Sequence, residues 1–119
     1  MEIVNERDLL EFFISMIPNF ETAWNSEKNY SRDVDIFTSH GVCAEFSHYF
    51  IENYIEFSNE QLETFFNRLE ELIEYSEPGN EIDNAFCTCF LENIAQTESG
   101  NFATQFMGKH SKEFFDYWN

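Results

Sequence analysis

The chain has 119 residues, of which 23 are acidic and six are basic, so its formal net charge at pH 7 is −17. The 43% apolar content, with fifteen Phe, excludes the low hydrophobicity that is typical of disordered chains. The excess of acids argues against nucleic acid and anionic membrane surfaces as ligands, and it favours encounter with a basic partner.

The sequence predicts a reduced protein of the cytoplasm. Charged residues interrupt the first segment, at Glu2, Glu6 and Asp8, which predicts no secretory signal. No apolar run approaches the ~20 residues that are needed to cross a bilayer. Three cysteines do not make a paired disulfide framework.

The first third of the chain predicts one helix, one short segment and a loop. Asn5 can cap a helix whose apolar residues recur at helical spacing. Pro18 ends that helix and starts a short segment through Trp24. The periodicity fades over 25–39, which predicts a long ordered loop, a feature that is often functional in a small domain.

Two long amphipathic helices are predicted next, over 39–57 and 58–78. In the second of them, Ser58 and Gln61 have the spacing of a capping box. Pro78, which is followed by glycine, ends this helix.

Three further helices complete the prediction. Asn80 caps the first of them, and Gly100 lies past its end. A short helix over 102–107 follows, and Ser111 caps the last helix. The last helix carries three aromatic residues at core spacing: Phe114, Phe115 and Trp118.

Strand signals are poor, because Val, Ile and Thr are sparse and no hairpin turn is present. The sequence therefore predicts an all-α protein, a single compact domain over 1–119. We expect five or six helices with an aromatic-rich core.

The sequence contains residue types that can bind metal ions or act in catalysis, but not at the spacings of known metal-binding or catalytic sites. Cys87 and Cys89 are two residues apart, so on a helix their thiols point about 200° apart. Glu45 and His48 form one Glu-x-x-His motif, whereas a di-metal bundle uses two. Phosphate-binding glycine loops, a nucleophile elbow and a Cys–His catalytic signature are absent from the sequence. We predict a non-enzymatic protein with no catalytic residues, cofactor or metal; a metal-dependent helical enzyme using Glu45 and His48 is the less favoured alternative.

Acidic residues form a row beside the apolar stripe of the 58–78 helix. Four residues of helix rise about 6 Å, close to the ~6–7 Å between successive phosphates of a nucleic-acid strand. Such a row suits the basic substrate cleft of a nuclease; the alternative is a solvated helix face with surplus charge. Acids of the neighbouring helices extend the patch. The predicted partner-binding residues are Glu63, Glu70, Glu71, Glu74, Glu77, Glu52, Glu56, Glu81 and Asp83.

Three stretches carry a resemblance: HGVCAEFSHYF over 40–50, EIDNAF over 81–86 and CFLEN over 89–93. They resemble a group of small acidic bacterial proteins, some of which are immunity proteins of contact-dependent growth inhibition systems. The resemblance covers roughly the C-terminal two-thirds of the chain and rests on helix-packing residues. It implies a helical protein that binds a cognate toxin domain in the cytoplasm and blocks its active site. It further implies an RNase toxin of the EndoU-like class.

These observations together predict an immunity protein that binds a cognate basic nuclease toxin domain. We expect a monomer in a 1:1 complex that blocks the active-site cleft with an acidic surface and contacts neither nucleic acid nor membrane. The alternative is a nucleic-acid-mimicking inhibitor of a restriction or CRISPR enzyme.

Overall fold

The computed structural model describes residues 3–26, 37–75 and 80–119, and every regular element in these ranges is helical. The all-α prediction is confirmed. The helices are α1 (Glu6–Met16), α2 (Phe20–Trp24), α3 (Ser39–Asn53), α4 (Asn59–Tyr75), α5 (81–94), α6 (Glu98–Ala103) and α7 (Lys109–Trp118). Single 3₁₀ turns extend α3 over Tyr54–Glu56 and α6 over Thr104–Phe106. The described ranges thus hold seven helices and not five or six, because the short segment after Pro18 closes into a helix of its own.

Side-chain caps fix where three of the helices begin, as the sequence predicts. The Asn5 side chain accepts a hydrogen bond from the N–H of Asp8 at 2.9 Å. Ser58 and Gln61 close the capping box, with N–H to oxygen distances of 2.8 and 3.1 Å. Asn80 caps α5 in the same way as Asn5 caps α1.

Stacked aromatic rings form the core. Phe13 of α1 lies face to face with Phe46 of α3, with centroids 4.3 Å apart and planes 7° from parallel. Phe90 of α5 lies 5.6 Å from Phe46 and 5.5 Å from Phe65 of α4. All four side chains are at most 2% exposed. Each such pair adds about 0.5–1.5 kcal/mol beyond the area it buries, so this cluster joins four helices.

Helix α3 lies at the centre of the packing, where it contacts α1, α2, α5 and α6, while α4 packs against α5 and α7. The Cα radius of gyration is 13.2 Å, close to the ~13.5 Å expected for a compact domain of this length. The division of the chain into a single domain stays a prediction. Among the described helices, none combines the length and the apolar content that crossing a bilayer requires.

Helix α5 contains a π-turn. Its backbone changes to π geometry over Cys87–Leu91, and the N–H of Glu92 donates five residues back to the first carbonyl of that turn. The Asn93 amide donates to the carbonyl of Cys89 at 2.9 Å and to the hydroxyl of Ser47 at 3.2 Å. These bonds tie the π-turn to α3.

The predicted boundary at Gly100 is wrong. Helix α5 ends at Ile94, and the chain then turns at Gln96, which has a φ of 63°. Gly100 lies inside α6 and is buried against the end of α5. A Cβ at this position would lie 2.0 Å from the carbonyl oxygen of Ile94, so glycine is required there by close packing and not as a helix end.

The prediction for the last helix is also corrected. Helix α7 is preceded by Gly108 as its N-cap residue, and Ser111 lies in its first turn. Phe115 is fully buried, whereas Trp118 is 41% exposed and is not a core residue. The aromatic residues of α7 are therefore buried at Phe115 but lie outside the core at the end of the helix.

Three predictions fall outside the described residues. They concern most of the 25–39 loop, the end of the 58–78 helix at Pro78 and the position of Glu77.

Candidate functional site

The nine predicted partner-binding acids do not form one row. Three line a depression at the start of α5: Glu71, Glu81 and Asp83. Two lie at the end of α3 and its 3₁₀ turn, where both are exposed: Glu52 and Glu56. Two more are exposed along α4: Glu63 and Glu74. The side chain of Glu70 points toward α7, and Glu77 lies outside the described residues.

The Glu70 carboxylate is aimed at the first turn of α7. Its Oε2 accepts the backbone N–H of His110 and contacts the ring Nδ1 of the same residue, both at 2.7 Å. Its Oε1 accepts the N–H and the hydroxyl of Ser111, both at 2.9 Å. The side chain is only 16% exposed. Glu70 thus satisfies two of the N–H groups that a helix start leaves free, a role that the N-cap residue Gly108 has no side chain to fill.

Two further facts fit this capping role. Burial raises the pKa of Glu70, but the hydrogen bonds from His110 and Ser111 outweigh it, and the pKa lies below its ordinary value of 4.5. A Cβ at Gly108 would lie 2.5 Å from Cγ and Cδ of Glu70, so glycine makes room for the carboxylate. The acidic row of α4 is therefore interrupted at Glu70.

Three neighbouring depressions lie around the first turns of α5, and Asp83 lines all three. We call them together the Asp83 furrow and refer to each as a section of it. The first section, of about 260 Å³, lies between α4 and α5 and includes Glu71 and Tyr75. The second, of about 460 Å³, follows the first turns of α5 and includes Glu81 and Asn84. The third, also of about 460 Å³, opens between α4, α5 and α7.

The third section differs from the other two because its lining is largely apolar and aromatic. Phe114, Tyr117 and Trp118 of α7 line it, opposite Ile73 of α4. Tyr117 is 80% exposed and Trp118 is 41% exposed. The furrow therefore combines carboxylates along its length with large aromatic side chains at one end.

Both signs of charge occur beside the furrow. Arg68 lines the first section and pairs with Glu71 at 3.1 Å. His110 lines the third section together with the acidic Glu113. The thiol of Cys87 donates to Oδ1 of Asp83 at 3.7 Å. Burial, together with the charge and the hydrogen bond of Asp83, raises the pKa of Cys87 to about 12, so this sulfur stays a neutral thiol.

The acids of α3 form a separate group. Burial raises the pKa of Glu45; nearby His48 opposes that shift and Glu52 adds to it. Burial and the charge of Glu56 likewise raise the pKa of Tyr49. Within the described ranges, no three or more His, Cys, Asp and Glu side chains are grouped to hold a metal ion.

One cluster has no counterpart among the sequence predictions. The Nδ1 of His40, in the first turn of α3, lies 3.2 Å from the sulfur of Cys89 in the π-turn of α5. The Nε2 of the same ring lies 3.5 Å from the side-chain amide of Asn84. His40 lies in the first turn of the helix that the sequence predicts over 39–57. His40 and Cys89 are 49 residues apart in the sequence, so no spacing could have revealed their contact.

Comparison with family models, with curated proteins and with solved structures finds no match for this chain.

Proposed function

We propose that this chain is a non-enzymatic immunity protein that binds a basic nuclease toxin domain of the RNase class in the cytoplasm and blocks its active-site cleft. The observation that carries this proposal is the Asp83 furrow, where carboxylates lead to an exposed aromatic end. The net charge of −17 supports the choice of a basic partner.

The acids of the furrow set how the partner arrives. Carboxylates outnumber Arg68 along the furrow, and a net negative field that is focused along a depression raises the rate of encounter with a positively charged surface. Charge-assisted hydrogen bonds from Lys or Arg to Glu81 and Asp83 then fix the orientation of the partner. Carboxylates at a protein surface contribute more to association rate and specificity than to affinity.

The aromatic end of the furrow determines how long the complex lasts. Tyr and Trp are the residues in which binding energy concentrates at protein interfaces. Tyr117 and Trp118 are exposed side by side, with ring centroids 5.1 Å apart. They offer a basic side chain both an apolar contact and a cation–π contact.

The contacts of Glu70 favour one way in which the toxin would be inhibited. A row of carboxylates along α4 that copies a phosphate strand would have to include Glu70, whose oxygens are engaged by α7. We therefore favour a protruding basic segment of the toxin lying in the Asp83 furrow over an extended decoy of RNA. The neighbouring acids then face the rim of the toxin's cleft.

The first experiment tests the role itself. The purified chain is mixed, at low and at high salt, with the nuclease domain that is encoded by the adjacent upstream gene. We expect a 1:1 complex that forms faster at low salt and that abolishes RNA cleavage. An adjacent gene that encodes no toxin, or no binding at low salt, overturns the immunity proposal. Phage genes on both sides, with inhibition of a restriction or CRISPR enzyme, would establish the alternative.

The second experiment tests the surface. The double variant Glu71→Lys with Glu81→Lys reverses two furrow charges, and Glu52→Lys with Glu56→Lys makes the same change of charge at the end of α3. We expect the furrow variant to slow association by about tenfold or more, and the control to slow it less. Glu70 is left unchanged because its removal would disturb α7. Equal effects of the two variants would exclude the furrow as the binding surface while leaving the immunity role in place.

A further inference from the structure

We propose that Cys89 is a site of reversible thiol modification, at which His40 assists exchange with low-molecular-weight disulfides such as oxidised glutathione. The proposal concerns a cluster of four side chains on α3 and α5: His40, Asn84, Thr88 and Cys89. It is independent of the proposed toxin partner.

The contacts place a hydrogen-bond donor beside the sulfur. The sulfur of Cys89 lies 3.2 Å from Nδ1 of His40, within hydrogen-bond reach. The far ring nitrogen, Nε2, lies 3.5 Å from Nδ2 of Asn84. Because an amide nitrogen can only donate, this contact makes Nε2 the acceptor and leaves the ring proton on Nδ1. The N–H of His40 therefore points at the sulfur, which α5 presents from its π-turn.

Thr88 adds a second acceptor beside the ring. Its hydroxyl donates to the carbonyl of Asn84 at 2.8 Å. Its oxygen, 3.4 Å from Nδ1 of His40 and 3.6 Å from the sulfur of Cys89, is thus left to act as an acceptor. The N–H of the ring therefore faces the sulfur of Cys89 and the hydroxyl oxygen of Thr88. A hydrogen-bond donor beside a sulfur stabilises the thiolate, which is the reactive form of cysteine.

The other two cysteines lack this environment. Cys43 is fully buried, and burial raises its pKa well above 9.0. Cys87 donates to a carboxylate, and its pKa is raised to about 12. Cys89 is partly exposed and faces an imidazole. Cys87 is therefore an internal control for Cys89, because the two cysteines lie on the same turn and differ in their neighbours.

The reaction is a balanced thiol–disulfide exchange. The Cys89 thiol loses its proton to solvent, the N–H of His40 stabilises the resulting thiolate, and the thiolate attacks one sulfur of the incoming disulfide. The new bond joins Cys89 to that sulfur while the old disulfide bond breaks. The other half leaves as a thiolate and takes a proton from solvent. The oxidation of Cys89 is matched by the reduction of the leaving half, so no further oxidant is needed.

The test uses the intact, folded chain with oxidised glutathione at pH 7. Intact mass follows the reaction over time, and fragmentation of the peptide that carries both Cys87 and Cys89 locates the adduct. We expect a single adduct, at Cys89, that a reducing agent removes. The variant His40→Gln should react roughly tenfold more slowly. The control is His48→Gln, which changes the exposed histidine on the same helix and should react at the wild-type rate.

Two outcomes would overturn the proposal. One is an adduct that forms at Cys87 first, or at both cysteines equally fast. The other is a wild-type rate in a His40→Gln variant whose circular dichroism and melting temperature show that it is folded. Should that variant not fold, Asn84→Ala removes the orienting contact from an exposed position, and an unchanged rate there would equally contradict the role of the ring.

Discussion

A single carboxylate, Glu70, shows how a side chain that looks like part of an acidic binding face can hold the fold together. A helix start leaves N–H groups without partners, and α7 has a glycine as its N-cap residue. Glu70 reaches across from α4 and accepts the N–H groups of His110 and Ser111. The same contact joins two helices that are far apart in the sequence. The charge of Glu70 is therefore used in folding, whatever its neighbours on α4 bind.

We expect Glu70→Gln to lower the free energy of unfolding at pH 7 by about 1–3 kcal/mol, because a charged acceptor of several hydrogen bonds is replaced by a neutral amide. The pKa of Glu70 is lowered in the folded chain. Its contribution is therefore fully present above the unfolded-state pKa and is lost as the pH falls through the folded-state value. Urea unfolding of wild type and variant at a series of pH values measures the difference.

The matched control is Glu74→Gln, one turn further along α4 at an exposed position. It should change stability by less than about 0.5 kcal/mol. A gap between wild type and Glu70→Gln that stays constant or widens on acidification would contradict this pH dependence.

At the scale of elements, the junction between α5 and α6 depends on close packing and not on helix propensity. Helix propensity favours Ala over Gly inside a helix by about 0.5–1 kcal/mol. Yet Gly100 is buried in α6, where a Cβ would meet the carbonyl oxygen of Ile94 at 2.0 Å and the ring of Phe115 at 3.0 Å. Because the first of these atoms is backbone, the two helices would have to move apart to admit a methyl group.

We therefore expect Gly100→Ala to destabilise the protein by about 2 kcal/mol or more, against the direction that propensity predicts. The control Glu98→Ala lies on the exposed face of the same helix and should stay within about 0.5 kcal/mol of wild type. Thermal unfolding followed by circular dichroism measures both. A Gly100→Ala variant as stable as wild type would show that the helix ends are not in contact.

The π-turn belongs to the same scale. Side chains of α5 occupy the carbonyl groups along this stretch: Thr88 donates to Asn84, and Asn93 donates to Cys89. Two carbonyl groups at the π-turn thus have side-chain partners, and the sulfur of Cys89 in the same turn lies against His40.

At the scale of the whole molecule, the charge of −17 is held within extents of 35 × 33 × 25 Å. At low ionic strength, roughly 0.01 M, the screening length is ~30 Å, so acids on opposite sides repel one another. This self-repulsion destabilises the compact state. Because the 23 acidic residues outnumber the six basic ones, pairing with bases cannot offset this repulsion.

We expect the free energy of unfolding to rise by about 1 kcal/mol when NaCl is raised from about 0.02 M to about 0.5 M, because screening relieves this repulsion. Urea unfolding at the two salt concentrations tests it. The Glu52→Lys with Glu56→Lys variant replaces two negative charges by two positive ones, which changes the net charge from −17 to −13, and should show a smaller salt effect. A stability that falls as NaCl is added would mean that attractive pairs outweigh the repulsion.

Local patterns in the sequence were reliable where the physics is local. The Asn5 cap, the Ser58–Gln61 box and the Asn80 cap each involve residues three apart, and all three are present. The apolar stripes of the first four long helices lie in the core because helical spacing alone places them on one face. Trp118 shares that spacing but is 41% exposed, because burial also depends on which other helices pack around a position, and spacing does not encode that.

The sequence by itself determined the helical class, the helix starts, the aromatic core and the large negative charge, because these follow from neighbours within a turn or from composition. Only the tertiary structure decided which acids remain on the surface and which side chains meet across helices. Glu70 and Ser111 are 41 residues apart, and His40 and Cys89 are 49 apart. Contacts of that range depend on how whole helices pack, and neither spacing nor residue type encodes the distance between two helix faces.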